Sequence, residues 1–223
     1  MRNPDNPEMW AMNQLYVEGR RPDLTADALV AELDRGLSDA RHRRAVVTDD
    51  ATGRTVAEGM RAAGYGVGPL AVMLLDREPP EPPQRVAREI DEQAMLALET
   101  RIVESDPQVP EQDRSVIIGG HAHMRATIPG TRCFAGVDEG VDVCRTFLYT
   151  DGSTGQPEDV ETLAAHRGKG IAAATVSLAA REALAAGCDL VFIVCNAVTG
   201  PVGLYADLGF RASGRFWTFN RQA

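Results

Sequence analysis

Runs of hydrophobic residues along the chain predict a protein that mixes strands with helices. From residue 84, a short strand and two helical stretches (91–105 and 113–125) precede three strand-like runs, TRCFAGV, VDVCRTFLY and PEDVETL. An Ala-rich helix, a continuous apolar strand (DLVFIVCN), a short helix (GPVGLYADLGF) and an alternating strand (RFWTFNR) follow. Alternating runs joined by turn residues favour antiparallel hairpins, and a continuous apolar run favours a strand buried on both faces. The pattern predicts an α/β (α+β) domain.

The N-terminal segment repeats the second half of this order, with a strand, a helix, a strand, a helix and a strand. A shift of 145 positions lays Ala45–Asp49 on Leu190–Val194 and Gly64 on Gly209. One offset that matches a strand and a helix end predicts an internal repeat. Identities are few, so chance alignment of two α/β segments is the alternative.

Proline residues mark the boundary between the two parts of the chain. Four prolines fall within the five positions 79–83. Consecutive prolines block both helices and central strands, so this stretch is predicted to be an extended linker. We therefore expect an N-terminal half domain at 1–78, a linker at 79–83 and a C-terminal domain at 84–223.

Composition narrows the classes of partner. The formal net charge is −9, which disfavours nucleic acid and anionic membranes and favours amine ligands. The four cysteines have no C-x-x-C spacing, which favours reduced, buried thiols over a zinc site or disulfides. No apolar stretch approaches the roughly 20 residues that span a bilayer, and the polar N-terminus lacks a signal peptide's apolar run. A cytoplasmic protein without a metal is expected.

The most informative motif is R-G-K-G-I-A at Arg167–Ala172, between a strand and a long helix. Glycines allow a ligand to approach the backbone closely, and the first amides of a helix have no partner within it. With the helix dipole and two basic side chains, they form an anion site suited to a pyrophosphate. A P-loop is excluded because G-x-x-x-x-G-K-[ST] does not occur here; a dinucleotide fingerprint remains as a loose match.

The same motif resembles the R/Q-x-x-G-x-G/A signature of the GNAT superfamily of N-acetyltransferases. The element order also resembles the GNAT fold, and LYADLGF with the preceding Asn196 resembles its second coenzyme A motif. The resemblance covers 84–223 and implies a mixed, mostly antiparallel, twisted sheet flanked by helices, with acetyl-CoA as cofactor. The residues that it assigns to the cofactor are Thr162, Leu163, Arg167, Gly168, Lys169, Gly170, Ile171, Ala172, Ala173 and Asn196.

The resemblance also implies a mechanism, in which a primary amine attacks the thioester directly. Tyr205 occupies the place of a tyrosine that protonates the departing thiolate, although anchoring the last helix is an alternative role. A base is also needed; Asp159 and Glu161 lie on one face of their strand by alternation, and Glu161 is preferred. A solvated or structurally paired acid is the other interpretation of both carboxylates. A backbone amide of the same strand would polarise the carbonyl oxygen.

The N-terminal copy departs from the family at its equivalent of the glycine-rich motif. That equivalent is Pro22–Asp27, which has no glycine and two acids that would repel a pyrophosphate. We expect this copy not to bind coenzyme A, and to complete a sheet, cover the acceptor pocket or form a homodimer contact.

Three functions remain open. The first is acetylation of a small-molecule amine, the second is acetylation of a protein or peptide amine, and the third is a non-catalytic acyl-CoA sensor. His121 and His123 form an H-x-H pair that is weak evidence for a metal and suits the acceptor pocket better.

Overall fold

The computed structural model describes residues 2–3, 10–83 and 86–222. Most of the polar N-terminal stretch and positions 84 and 85 of the first C-terminal strand lie outside these residues. Contacts divide the chain into two compact units. The first comprises the described residues of Met1–Val72, Val194–Val202 and Ala212–Ala223, and the second comprises those of Met73–Ile193 and Gly203–Arg211. The domain boundary predicted at residues 79–83 was placed from the prolines between the two copies of the sequence repeat, and it stays a prediction.

The element order agrees with the predicted alternation. The strands are β1 (Leu15–Val17), β2 (His42–Val47), β3 (Gly66–Leu75), β4 (Ala87–Ile90), β5 (Arg132–Asp138), β6 (Val141–Thr150), β7 (Thr154–Thr162), β8 (Leu190–Asn196) and β9 (Phe210–Gln222). The helices are α1 (Ala26–Gly36), α2 (Asp50–Ala62), α3 (Glu92–Ser105), α4 (Glu111–Thr127), α5 (Ile171–Ala185) and α6 (Val202–Asp207).

In the first unit, β1 pairs in parallel with β2 across α1, and β2 pairs antiparallel with β9. Helix α1 begins at an N-cap, Thr25, whose side chain accepts a hydrogen bond from the Ala28 amide. Its apolar stripe buries Leu29 and Leu33 against a core that includes Phe219. A half-buried sheet and an amphipathic helix thus cover each other's apolar faces.

The element bounds agree with an internal repeat at the predicted offset. β1 and β7 end at Val17 and Thr162, which are 145 positions apart. α1 and α5 begin with the same separation, and α2 and α6 end with it. Gly64 and Gly209, two residues after these helix ends, both have positive φ. The β1–α1–β2 segment therefore matches the β7–α5–β8 segment, in which β7 and β8 are also parallel.

In the second unit the strand order is β8-β7-β6-β5-β4, with antiparallel pairing from β4 to β7. Helix α5 packs on this sheet at Gly136 of β5, where a Cβ would lie 2.4 Å from a methyl carbon of Ile171 and 2.5 Å from the Thr175 hydroxyl. Met95, Leu98 and Phe147 are fully buried in a core cluster of this unit. The sheet therefore fixes where the N-terminus of α5 lies.

A Gly136→Ala substitution is expected to lower the free energy of unfolding by about 1 to 3 kcal/mol, because the added methyl overpacks the contact between β5 and α5. Urea unfolding measures the change. Gly119→Ala on α4 is the matched control, since a Cβ there meets nothing within 4 Å. An equal loss in both variants would contradict the packing argument.

Two elements begin earlier than the hydrophobic pattern predicts, because TVAEGMRAAGY indicates a helix from Thr55 and LAVMLLD a strand from Leu70. α2 begins earlier, at Asp50, because the Asp49 side chain accepts a hydrogen bond from the Thr52 amide. β3 likewise begins earlier, at Gly66. The four cysteines are free and buried, as predicted.

Neither a candidate membrane span nor a candidate metal cluster occurs among the described residues. No helix within 10–83 or 86–222 is long and apolar enough to cross a membrane. No group of three or more His, Cys, Asp or Glu side chains in that part of the chain is arranged to hold a metal ion.

Candidate functional site

A cavity of about 670 Å³ lies in the second unit, where β7 meets the loop before α5. Its walls come from the end of β7, from the loop and first turn of α5, and from single residues of β6 and α6. The lining residues are Arg145, Asp159, Val160, Glu161, Thr162, His166, Arg167, Gly168, Gly170, Ile171, Ala172, Ala173 and Leu204. The predicted glycine-rich motif and the predicted base therefore face one cavity.

Strand β7 carries a bulge at this cavity. Asp159 has a φ of +53°, which is uncommon for a residue with a side chain, and the register with β6 shifts between Arg145 and Phe147. In a regular strand, Asp159 and Glu161 would share one face and Val160 between them would point to the other. Val160 also lines the cavity, so the bulge interrupts this alternation. Parallel pairing of β7 with β8 is recorded at Thr154 and Gly155, before the bulge.

The N-terminus of α5 supplies amides without a side-chain partner. Its N-cap is Gly170, which has a φ of +76° and makes no side-chain cap. Gly168 also has positive φ, at +77°, and a Cβ at either glycine would meet nothing within 4 Å. At the matching helix of the repeat, the Thr25 hydroxyl occupies the equivalent place and Asp27 lies in the first turn. The α5 end of this pair therefore suits an anion better than the α1 end, which has a side-chain cap and an acidic residue in its first turn.

Polar contacts hold the anion loop (Arg167–Gly170) against the sheet. Arg167 Nε donates to the Thr162 carbonyl at 2.9 Å. Asp138, at the end of β5, lies 2.6 Å from both His166 Nδ1 and Lys169 Nζ. The hydrogen bonds from Lys169 and His166 lower the pKa of Asp138 below its usual range. The loop is thus fixed with its cationic side chains beside the helix end.

The other predicted site residues lie in several environments. Lys169 is absent from the cavity wall and pairs with Asp138. The Leu163 amide donates to the Val143 carbonyl of β6, so that Thr162, one residue earlier, directs its amide to the opposite edge of β7. Asn196 belongs to the first unit, where its side chain accepts hydrogen bonds from two amides of the following turn. Tyr205 is buried and absent from the cavity wall, although its neighbour Leu204 forms part of it, and it packs against the Phe210 ring with centroids 6.2 Å apart.

A row of alternating charges, the buried charge chain, leads from the surface to the cavity. In spatial order its members are Glu92, Arg125, Glu99, Arg145 and Glu161. Glu99 is fully buried and lies 2.5 Å from His121 Nδ1. Burial raises the pKa of Glu99, but the hydrogen bond with His121 and the charges of Arg145 and Arg125 outweigh it and lower this pKa below its ordinary value.

Glu158 is a second unusual carboxyl on β7. Burial, followed by the neighbouring charge of Asp159, raises the pKa of Glu158 to about 7. A carboxyl with such a pKa exchanges protons near neutral pH, which suits acid–base chemistry. Glu158 is absent from the cavity wall, however, whereas Glu161 forms part of it.

A Glu158→Gln substitution is expected to stabilise the protein increasingly as pH rises from about 4.5 to 7. The folded protein holds the Glu158 proton more tightly than the unfolded chain does, because folding raises the pKa of this carboxyl. The stabilisation that results is complete below the ordinary pKa of 4.5, and it is lost as pH rises through about 7. Glutamine mimics the protonated form at every pH, and the gain at pH 8 should be about 1 to 3 kcal/mol.

Thermal melts of both proteins at pH 4 and pH 8 measure this difference. Glu104→Gln, at an exposed glutamate of α3, is the control and should show no such trend. A pH-independent effect of Glu158→Gln would contradict the pKa argument.

Several of these residues carry no signal in the sequence, because their partners are distant in the chain. Glu99, Arg125 and Arg145 come from α3, α4 and β6, and no local motif connects them. The carboxylate partner of His121 is Glu99, which lies 22 positions away in the sequence. His166 did have a local signal in the sequence, because it lies next to the glycine-rich motif.

Comparison of the structure with solved structures gives the fold. A functionally unknown conserved protein from Staphylococcus epidermidis matches with a TM-score of 0.71 at 11% identity, covering 99% of this chain and 88% of that one. A GCN5-related N-acetyltransferase from Kribbella flavida matches with a TM-score of 0.56 at 16% identity, covering 91% and 79%. A tandem GNAT protein from the clavulanic acid biosynthesis pathway matches with a TM-score of 0.57 at 16% identity, covering 88% and 68%.

Sequence comparison adds no relative. No protein-family model matches the chain, and no curated protein matches it significantly. The structural likenesses confirm the predicted fold: the protein has the GNAT fold, a mixed sheet flanked by helices, and the tandem GNAT protein fits its two-part architecture. At these identities the likeness concerns the fold alone.

Proposed function

We propose that the protein is an acetyl-CoA-dependent N-acetyltransferase that acetylates a primary amine by direct attack. One observation carries this proposal: the uncapped N-terminus of α5, with Gly168 and Gly170 in left-handed conformation, forms the wall of a cavity beside the bulged β7. Free helix amides suit a pyrophosphate. The open edge of β7 suits an extended, amide-bearing arm, which can pair as a strand does.

The residues of the chain fit coenzyme A in two places. Amides of Arg167–Ala173 would hold the pyrophosphate, with the side chains of Arg167 and Lys169 adding positive charge. Val160 and Thr162 would pair with the pantetheine arm; this replaces Leu163, whose amide donates to β6. The matching helix α1, capped by Thr25, would hold no cofactor.

Acetyl-CoA, when bound, supplies the thioester carbonyl carbon that the amine attacks. Glu161 accepts a proton from the amine, which frees the nitrogen lone pair. An amide of β7 beside the bulge would donate to the carbonyl oxygen and stabilise its developing charge. Tyr205, next to the cavity-lining Leu204, would supply the phenolic proton for the departing thiolate.

We propose a small-molecule amine as the acceptor. The cavity wall carries the carboxylates of Asp159 and Glu161, which attract a cationic amine before it loses its proton. The net charge of the chain, −9, acts in the same direction.

A screen of small amines with acetyl-CoA, detecting free thiol, tests this function. We expect amine-dependent thiol release, and a Tyr205→Phe variant should lower kcat roughly 10- to 100-fold because it loses the proton donor. Absence of release with every amine, despite saturable coenzyme A binding, would favour a sensor. Unchanged kcat in Tyr205→Phe would remove Tyr205 from the mechanism.

A further inference from the structure

The buried charge chain contains more charge than a protein core usually holds. The side chains of Arg125, Glu99 and Arg145 are 2%, 0% and 5% exposed. Each desolvated charge costs several kcal/mol, and well-packed apolar residues of similar volume are often as stabilising as a buried ion pair. Stability alone therefore does not account for this chain, and one of its ends lies at the cavity.

Contacts within the chain are firmer on the Glu99 side of Arg145 than on its Glu161 side. Arg145 Nη1 donates to Glu99 at 2.6 Å, and Arg145 Nη2 donates to Glu161 Oε2 at 3.1 Å. Glu99 is itself fixed by Arg125 Nη1 at 2.8 Å and by His121. The Phe147 ring lies under both guanidinium groups, 4.8 Å from Arg125 and 5.8 Å from Arg145. Arg145 is thus anchored in the core and extends its second nitrogen to Glu161.

We propose that Arg145, anchored by Glu99, is a positioning residue that holds the Glu161 carboxylate in the orientation in which it accepts the proton of the amine. This inference rests on the proposed function. The guanidinium binds one carboxylate oxygen, Oε2, and leaves Oε1 for the amine. A planar fork with two fixed donors sets an orientation that a single point charge does not.

Other charged groups of the cavity wall show what Arg145 prevents. Asp159 on the same strand repels the Glu161 carboxylate, and Arg167 on the anion loop attracts it. His121 of α4 and Glu99 of α3 contact Arg145 on the side away from Glu161. Without Arg145, the Glu161 side chain would be drawn towards the anion loop.

A double-mutant cycle of Arg145→Gln and Glu161→Gln, measured as kcat and as KM for acetyl-CoA, tests the proposal. Arg145→Gln should lower kcat roughly 10- to 100-fold, as misplacement of a reacting group does, and change KM less than about 3-fold. The double variant should be no slower than Glu161→Gln alone, because residues that act as one unit are not additive. Arg145→Lys, which keeps the charge without the fork, should restore part of the loss.

Arg88→Gln, which breaks an exposed pair with Asp142, is the control and should leave kcat unchanged. If Arg145→Gln does not fold, the Arg145→Lys single and double variants complete the same cycle. Two results would overturn the positioning role while the proposed function stands. One is losses that multiply in the double variant, and the other is a kcat equal to that of the wild type in both Arg145→Lys and Arg145→Gln. A wild-type protein that releases no thiol with any amine would overturn both.

Discussion

A Glu161→Gln variant is expected to lose roughly 10²- to 10⁴-fold in kcat while binding coenzyme A as the wild type does. Glutamine keeps the size of the side chain and a carbonyl oxygen for Arg145, but it does not accept a proton near neutral pH. Glu161 lines the cavity but does not belong to the anion loop that would hold the pyrophosphate of the cofactor. The loss should therefore fall on kcat and not on cofactor affinity.

Steady-state kinetics of thiol release, with coenzyme A binding measured by calorimetry, separate the two effects. Glu158→Gln is the informative comparison, since Glu158 is the other β7 carboxyl and its pKa is raised to about 7. A large loss in Glu158→Gln with near-normal kcat in Glu161→Gln would assign the base to Glu158, acting through a water molecule, and would contradict the role given to Glu161.

A Glu99→Gln variant is expected to lower the free energy of unfolding by about 3 to 5 kcal/mol, the usual effect of removing one partner from a buried ion pair. Glu99 compensates two guanidinium groups, those of Arg125 and Arg145, whose side chains are 2% and 5% exposed. Because the pKa of Glu99 is lowered by folding, its contribution is present at neutral pH and is lost as pH falls below about 4.5.

Urea unfolding at pH 7 measures this change. Glu92→Gln is the matched control, because Glu92 contacts the same Arg125 from the surface end of the chain and is 55% exposed. Its loss should stay below about 1 kcal/mol, as for exposed ion pairs. Similar losses at Glu92 and Glu99 would show that burial does not determine the effect.

The fold was predictable where the hydrophobic pattern is local. Strands β5 to β8 and helix α5 lie within a few residues of their predicted bounds, and α5 ends just before Gly187, a glycine whose positive φ suits the end of a helix. The start of α2 was not predicted, because Thr52 and Gly53 in its first turn favour a turn over a helix. Gly53 is needed there since a Cβ would lie 2.1 Å from the Trp217 ring, a contact across more than 160 positions.

The candidate site was predictable in part for the same reason. The anion loop is a contiguous motif, and the structure places it on a cavity wall with Glu161. The bulge at Asp159 carries no glycine that would signal positive φ. The buried charge chain joins residues of α3, α4, β6 and β7, so only the folded sheet and helices bring them together.

Calorimetric titration of coenzyme A into three proteins tests the central claim, that the N-terminus of α5 is an acyl-CoA site. The wild type should bind one equivalent. Gly170→Ala should weaken binding by at least about 10-fold, because a Cβ at φ +76° shifts the backbone that presents the amides. Gly187→Ala, with φ +91° at the other end of α5, imposes similar strain and should bind like the wild type. Failure of the wild type to bind, or equal affinity in all three proteins, would contradict the account.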